Sequence, residues 1–98
     1  VLCGLGGIYA EVLRDSAIRL APLYVGEARE MLAGLRGFKL LQGVRGQPPV
    51  DLEALAAALL KLSRLMVDLE EVAELDLNPV LAFERGIQVV DARIVLKA

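Results

Sequence analysis

The alternation of apolar and polar positions divides the chain into strand-like and helix-like stretches. Ile8 to Leu13 and Ala17 to Leu23 are short apolar runs, each broken by one charge, Glu11 and Arg19. The turn-forming run Arg14-Asp15-Ser16 separates them, so they predict two antiparallel strands, the second ended by Pro22. From Gly26 to Leu35 the period becomes helical, with Ala28, Met31, Leu32 and Leu35 on one stripe and Gly34 and Gly37 marking the end. Phe38 to Pro49, rich in glycine, proline and basic residues, predicts a connector. Asp51 is a good N-cap for a long helix whose stripe is Leu52, Leu55, Leu59, Leu62, Leu65, Met66 and Leu69. Asp68, Glu70 and Glu71 lie where the helix dipole disfavours them and are expected in solvent. Val72 to Val80 and Ile87 to Leu96 predict a closing hairpin turned by Glu84-Arg85-Gly86. The order strand, strand, helix, helix, strand, strand predicts an α+β fold, with two helices on one face of an antiparallel sheet of about four strands.

The unusual segment is Glu74-Leu75-Asp76-Leu77-Asn78-Pro79, with Asp91 on the returning strand. Strand side chains alternate between faces, so Asp76 and Asn78 share one. If Phe83 faces Gly86, Asn78 lies opposite Asp91, and two carboxylates and an amide oxygen converge on one patch. Hard divalent cations take such oxygen ligands. A slip of one residue would send Asp91 to the opposite face. A turn with a solubilising Asx-Pro pair would account for Asn78-Pro79 by itself. Elsewhere the candidates are weaker. Glu11 is a ligand, an electrostatic partner or a residue of the solvated face. Arg19 suits an anion, or pairs with Glu11 across the first hairpin. Val1 to Gly7 leads apolarly into Gly4-Leu5-Gly6-Gly7, which has phosphate-loop composition but precedes a strand-like run where a phosphate loop needs a helix; a turn feeding a strand is the preferred reading.

The 98 residues suit one small domain. Hydrophobic residues make up 56%, with few aromatics, which argues against disorder. The net charge of −2 and the lack of a basic block argue against nucleic acid as a partner. Histidine is absent, so a Ser-His-Asp triad, a Cys-His pair and a histidine zinc site are excluded within the chain. Cys3 is the only cysteine and has no internal disulfide partner. No apolar run approaches the roughly 20 residues of a membrane span, so no membrane association is expected. The apolar, non-methionine start at Val1 predicts a fragment cut from a longer protein.

Gly6-Gly7-Ile8-Tyr9-Ala10-Glu11-Val12-Leu13-Arg14-Asp15, Arg19-Leu20-Ala21-Pro22-Leu23, Glu74-Leu75-Asp76-Leu77-Asn78-Pro79-Val80 and Val90-Asp91-Ala92-Arg93 occur in this order along nearly the whole chain. Together they resemble the ATP-grasp part of ADP-forming acetyl-CoA synthetases, relatives of the succinyl-CoA synthetase β subunit. The resemblance implies that residues 1–98 are a single domain, the C-terminal lobe of an ATP-grasp fold. It implies a cytoplasmic acid–CoA ligase using Mg²⁺ and ATP, with CoA and a small carboxylic acid as substrates. By that resemblance Asn78 and Asp91 hold Mg²⁺ on the ATP phosphates, with Asp76 beside them. Glu11 and Arg19 are the further candidates for nucleotide contact, and no residue is expected to act as a catalytic nucleophile. The phosphohistidine of such enzymes must sit on a CoA-binding domain or subunit outside this chain, and the isolated piece is expected to be inactive. Related modules fused to acetyltransferases bind a small ligand without turnover, which is the alternative reading. An interaction module with solubilising acids is the third.

Overall fold

The computed structural model describes residues 1–6 and 15–98. The predicted strand at Ile8–Leu13, with Glu11, lies outside the described residues. Two strands open the chain, β1 (Leu2–Gly4) and β2 (Ser16–Ile18). They pair antiparallel with Leu2 opposite Ile18 and Gly4 opposite Ser16. Among the described residues β2 thus pairs within the Val1–Gly7 stretch, and it is shorter than the predicted Ala17–Leu23. Gly4 ends β1 for a steric reason: a Cβ there would stand 2.7 Å from the Asp15 carbonyl oxygen.

Three helices follow: α1 (Glu27–Ala33), α2 (Phe38–Leu41) and α3 (Leu52–Asp68). In α1 the predicted stripe is the buried one. Ala28, Met31, Leu32 and Leu35 all pack inside, and Met31 is wholly enclosed. The N-cap of α1 is Gly26, without a side-chain cap, and just before it the Tyr24 N–H donates to Glu27 Oε1 at 3.2 Å. The α2 turn falls in the predicted connector, where Phe38 and Leu41 pack against the core. In α3 the deepest residues are Leu59, from the predicted stripe, and Ala56 and Ser63, which lie outside it. Leu52, Leu55, Leu62, Leu65 and Met66 are half-buried and Leu69 is exposed. The reason is helix–helix packing. α3 sets small residues towards α1, and the hydrophobic cluster joins Ala28, Leu32 and Leu35 of the α1 segment to Ala56 and Leu59. The acids after α3 are exposed, and Asp68 makes an i,i+4 pair with Arg64 at 3.3 Å.

Two buried polar contacts tie loops to this core. The Ser63 hydroxyl accepts the Leu23 N–H at 2.7 Å. The buried Asp15 carboxylate accepts the N–H groups of Arg36 and Gly37, each at 2.7 Å. Asp15 is therefore the anchor of the α1–α2 turn as well as a turn residue.

The final hairpin has four short strands, β3 (Val72–Leu77), β4 (Val80–Ala82), β5 (Ile87–Val89) and β6 (Ala92–Leu96). β3 pairs with β6 and β4 with β5, both antiparallel. Phe83 donates its N–H to the Gly86 carbonyl at 3.1 Å, and Gly86 has φ +81°, the left-handed conformation that suits glycine in a hairpin turn. Among the described residues the strands thus form three two-stranded antiparallel sheets.

Candidate functional site

The site is built on the break between the two halves of the hairpin. β4/β5 pairs Val80 with Val89, and β3/β6 pairs Leu77 with Ala92 and Asp76 with Arg93. Both ladders follow one register, and it sets Asn78 opposite Asp91. The Asn78 N–H donates to the Asp91 carbonyl at 3.0 Å, and the Val90 N–H donates to the Pro79 carbonyl, also at 3.0 Å. A regular antiparallel ladder alternates bonded and unbonded pairs. Here two successive pairs are bonded, and proline has no N–H to return a bond. The pairing is therefore interrupted at these residues, and the two halves are separate ladders in consequence.

Burial shows which way the side chains point. Along β3, Leu75 and Leu77 are half-buried while Glu74 and Asp76 are exposed, and Asn78 and Asp91 are exposed as well. The leucines turn towards α3. Leu75 to Val80 form one wall of a groove of about 650 Å³, whose other walls include Leu59 and Leu62 of α3 and Cys3 of β1. Gly6 and Asp15, which flank the undescribed segment, border it too. Burial pushes the Cys3 thiol up, the Arg19 charge opposing and the Asp15 charge adding to that shift.

Asp91 Oδ1 accepts the N–H of Ala92 at 3.0 Å, which fixes the carboxylate against its own backbone. No other described hydrogen bond engages the side chains of Asp76, Asn78 or Asp91. The face thus offers two carboxylates and an amide oxygen that form no ion pair among the described residues. Among the described residues no three acidic, histidine or cysteine side chains cluster tightly enough to cage a metal. Such a donor set suits Mg²⁺, which keeps water and takes one or two carboxylates plus ligand phosphates.

Arg93 is the residue that sequence reasoning left out of the patch. It stands directly across from Asp76. The signal was available, because the i,i+2 spacing of Asp91 and Arg93 mirrors that of Asp76 and Asn78. Arg19 is not part of this arrangement. It follows β2, is exposed, and turns its guanidinium back so that Nη1 donates to the Ile18 carbonyl at 2.8 Å. It borders a separate shallow depression with Leu20 and Glu27.

Asp51 is more than a helix cap. Its Oδ1 caps α3 by accepting the Ala54 N–H at 2.9 Å, and its Oδ2 accepts the Gly86 N–H at 2.7 Å. Its own N–H donates to the Phe83 carbonyl at 2.7 Å. The Gly86 bond first, and the Ala54 bond second, hold the carboxyl below its ordinary value. The second oxygen could not be anticipated from local sequence, since Gly86 is far along the chain.

The ATP-grasp domain family matches residues 1–96. Acetate–CoA ligase (ADP-forming) I of Archaeoglobus fulgidus is 47% identical over 96 residues, covering 98% of this chain and 14% of that protein. The β subunit of acetate–CoA ligase (ADP-forming) I of Pyrococcus furiosus is 42% identical, covering 98% of this chain and 41% of the subunit. Among solved structures, an acetyl-CoA synthetase of Ca. Korarchaeum cryptofilum superposes with a TM-score of 0.92 and 49% identity, over 98% of this chain and 45% of that one. That structure holds coenzyme A and Mg-AMPPCP, with its phosphohistidine segment pointing towards the nucleotide-binding site. This chain therefore spans less than half of each of these relatives.

Proposed function

Because the chain belongs to the ATP-grasp domain family, we propose that it supplies the phosphate-side part of the Mg-ATP site of an ADP-forming acyl-CoA synthetase. The observation that carries the reading is the Asn78–Asp91 pair at the ladder break, with Asp76 on the same exposed face. Identities above 40% to ADP-forming acetate–CoA ligases support it.

Asn78 Oδ1 and the Asp91 carboxylate would hold the cation, and Asp76 adds negative charge beside them. Bound Mg²⁺ supplies neutralisation of phosphate charge, the main requirement of phosphoryl transfer. The chain's own part is orientation. The paired backbone of Asn78 and Asp91 fixes their spacing, and the Ala92 N–H holds one Asp91 oxygen. Arg93, across from Asp76, limits the net negative charge of the face and offers a donor fork to an anion. Two ligands of this kind do not form a closed cage, so the cation is held only together with nucleotide phosphates.

The reading places the remaining functions elsewhere in a larger enzyme. The chain has no histidine, so the phosphohistidine belongs to another domain or subunit, which also binds CoA. ATP and CoA as substrates put the enzyme in the cytoplasm, and no described helix is long and apolar enough to cross a membrane.

The test is Asp91→Asn in the assembled enzyme. Even residues behind a metal's direct ligands cost 10- to 100-fold when mutated, so loss of a ligand is expected to lower ATP-dependent acyl-CoA formation by more than about 100-fold. CoA binding should stay as in the wild type. Unchanged turnover would remove Asp91 from the site and the reading with it.

A further inference from the structure

Both ends of the final hairpin are tied to one rigid element. At its base, β3 follows α3 almost directly, with the Val72 N–H donating to the Leu69 carbonyl at 3.2 Å. At its tip, the turn is held by Asp51 at the start of α3 through two bonds, Asp51 N–H to the Phe83 carbonyl and Gly86 N–H to Oδ2, while Oδ1 caps α3 by accepting the Ala54 N–H. Between these attachments, from Glu74 to Phe83, the described pairing keeps one register and is interrupted only at Asn78-Pro79 against Val90-Asp91. The ladder interruption is where the two halves can change their angle, and it is where the proposed cation ligands sit.

We propose that Asp51 is a positioning residue for the Asn78–Asp91 pair, acting through the hairpin tip. The inference rests on the metal reading given above. With both attachments in place, the angle between β3/β6 and β4/β5 is set by α3. Without the Gly86 bond, the one described hydrogen bond left from the start of α3 to the tip is Asp51 N–H to the Phe83 carbonyl, and the two oxygen ligands lose their fixed spacing. Asp51 touches neither metal nor nucleotide in this account.

The two oxygens of Asp51 permit a clean test. Serine caps a helix about as well as aspartate but has one side-chain oxygen. Asp51→Ser in the assembled enzyme should therefore keep the α3 cap and release Gly86. Amide hydrogen exchange is the first readout. Exchange at Gly86 should rise, exchange at Asn78 and Val90 should rise by about tenfold, and Lys97, bonded to the Glu71 carbonyl at the base, should keep its protection. Calorimetric titration with Mg²⁺ in the presence of AMPPCP is the second. The affinity should fall by about tenfold, in the range seen for residues behind a metal's direct ligands, with CoA affinity unchanged. Asp51→Asn, which keeps the side-chain shape and one acceptor oxygen, is the second variant if serine compromises folding. Gly86 deprotection with wild-type exchange at Asn78 and Val90 and wild-type Mg²⁺ affinity would overturn the proposal. Asn78→Ala runs in parallel: if it leaves Mg²⁺ affinity intact, the metal reading fails, while the exchange pattern still decides whether Asp51 sets the angle.

Discussion

Replacing Ser63 with alanine tests how the opening segment is held to the helical core. Ser63 is only 1% exposed, on the face of α3 that meets α1. Its hydroxyl takes the Leu23 N–H at 2.7 Å, forty residues earlier in the chain. Alanine fits the space with almost no change of volume, so the transfer and cavity terms are small. What remains is the cost of leaving a partly buried N–H without its partner, about 1–2 kcal/mol, the lower part of the range for an unsatisfied buried group. For a domain of this size each kcal/mol lowers Tm by roughly 4–8 °C. Urea unfolding followed by circular dichroism should show a lower midpoint with an unchanged slope, because the exposed surface on unfolding is the same. The neighbouring Arg64→Ala is the control. It removes only the exposed pair with Asp68, for which a few tenths of a kcal/mol are expected. If Ser63→Ala and Arg64→Ala cost the same, the Leu23–Ser63 bond does not anchor the loop, and the argument from buried polar pairing is wrong.

Other outcomes follow from the same structure. Met31→Ala empties a fully enclosed site and should cost about 2–5 kcal/mol, seen as a large fall in the urea midpoint. Asp51 has a depressed carboxyl pKa, so the folded state binds its proton less readily than the unfolded state. Its contribution is complete above the ordinary aspartate value of about 3.9 and is lost as pH falls through the lower folded value; Asp51→Asn should flatten that acid limb of the stability profile. The Tyr24 hydroxyl donates to Glu30 at 2.9 Å, and that bond, with the Glu30 charge, raises its pKa. Glu30→Gln should bring the ultraviolet titration of Tyr24 back towards about 10.

The sequence exposed local order best. The α1 stripe Ala28, Met31, Leu32 and Leu35 is legible because a 3.6-residue period has one solution, and all four are buried. The Asp51 cap is legible because capping is local. The hairpin register is legible because a glycine turn and period-two alternation fix it together, and Asn78 does stand opposite Asp91. Tertiary contacts were not legible. Leucine content overstated the α3 core stripe: of it only Leu59 is fully buried, while Ala56 packs against α1 and Ser63 is buried on the Leu23 N–H. The α2 turn was hidden in a glycine-rich stretch because Phe38 and Leu41 are held by the core rather than by propensity. The β1–β2 pairing was missed because a two-stranded ladder of three residues leaves little trace in hydropathy. Asp15 and the second oxygen of Asp51 serve backbone groups far along the chain, which no local rule anticipates.

The most direct test is Mg-ATP binding by calorimetry to the assembled enzyme, in wild-type and Asn78→Ala forms. The account predicts a saturable Mg-dependent heat for the wild type that Asn78→Ala weakens by more than about tenfold, with CoA binding unaffected. Equal Mg-ATP affinity in the two proteins would contradict it.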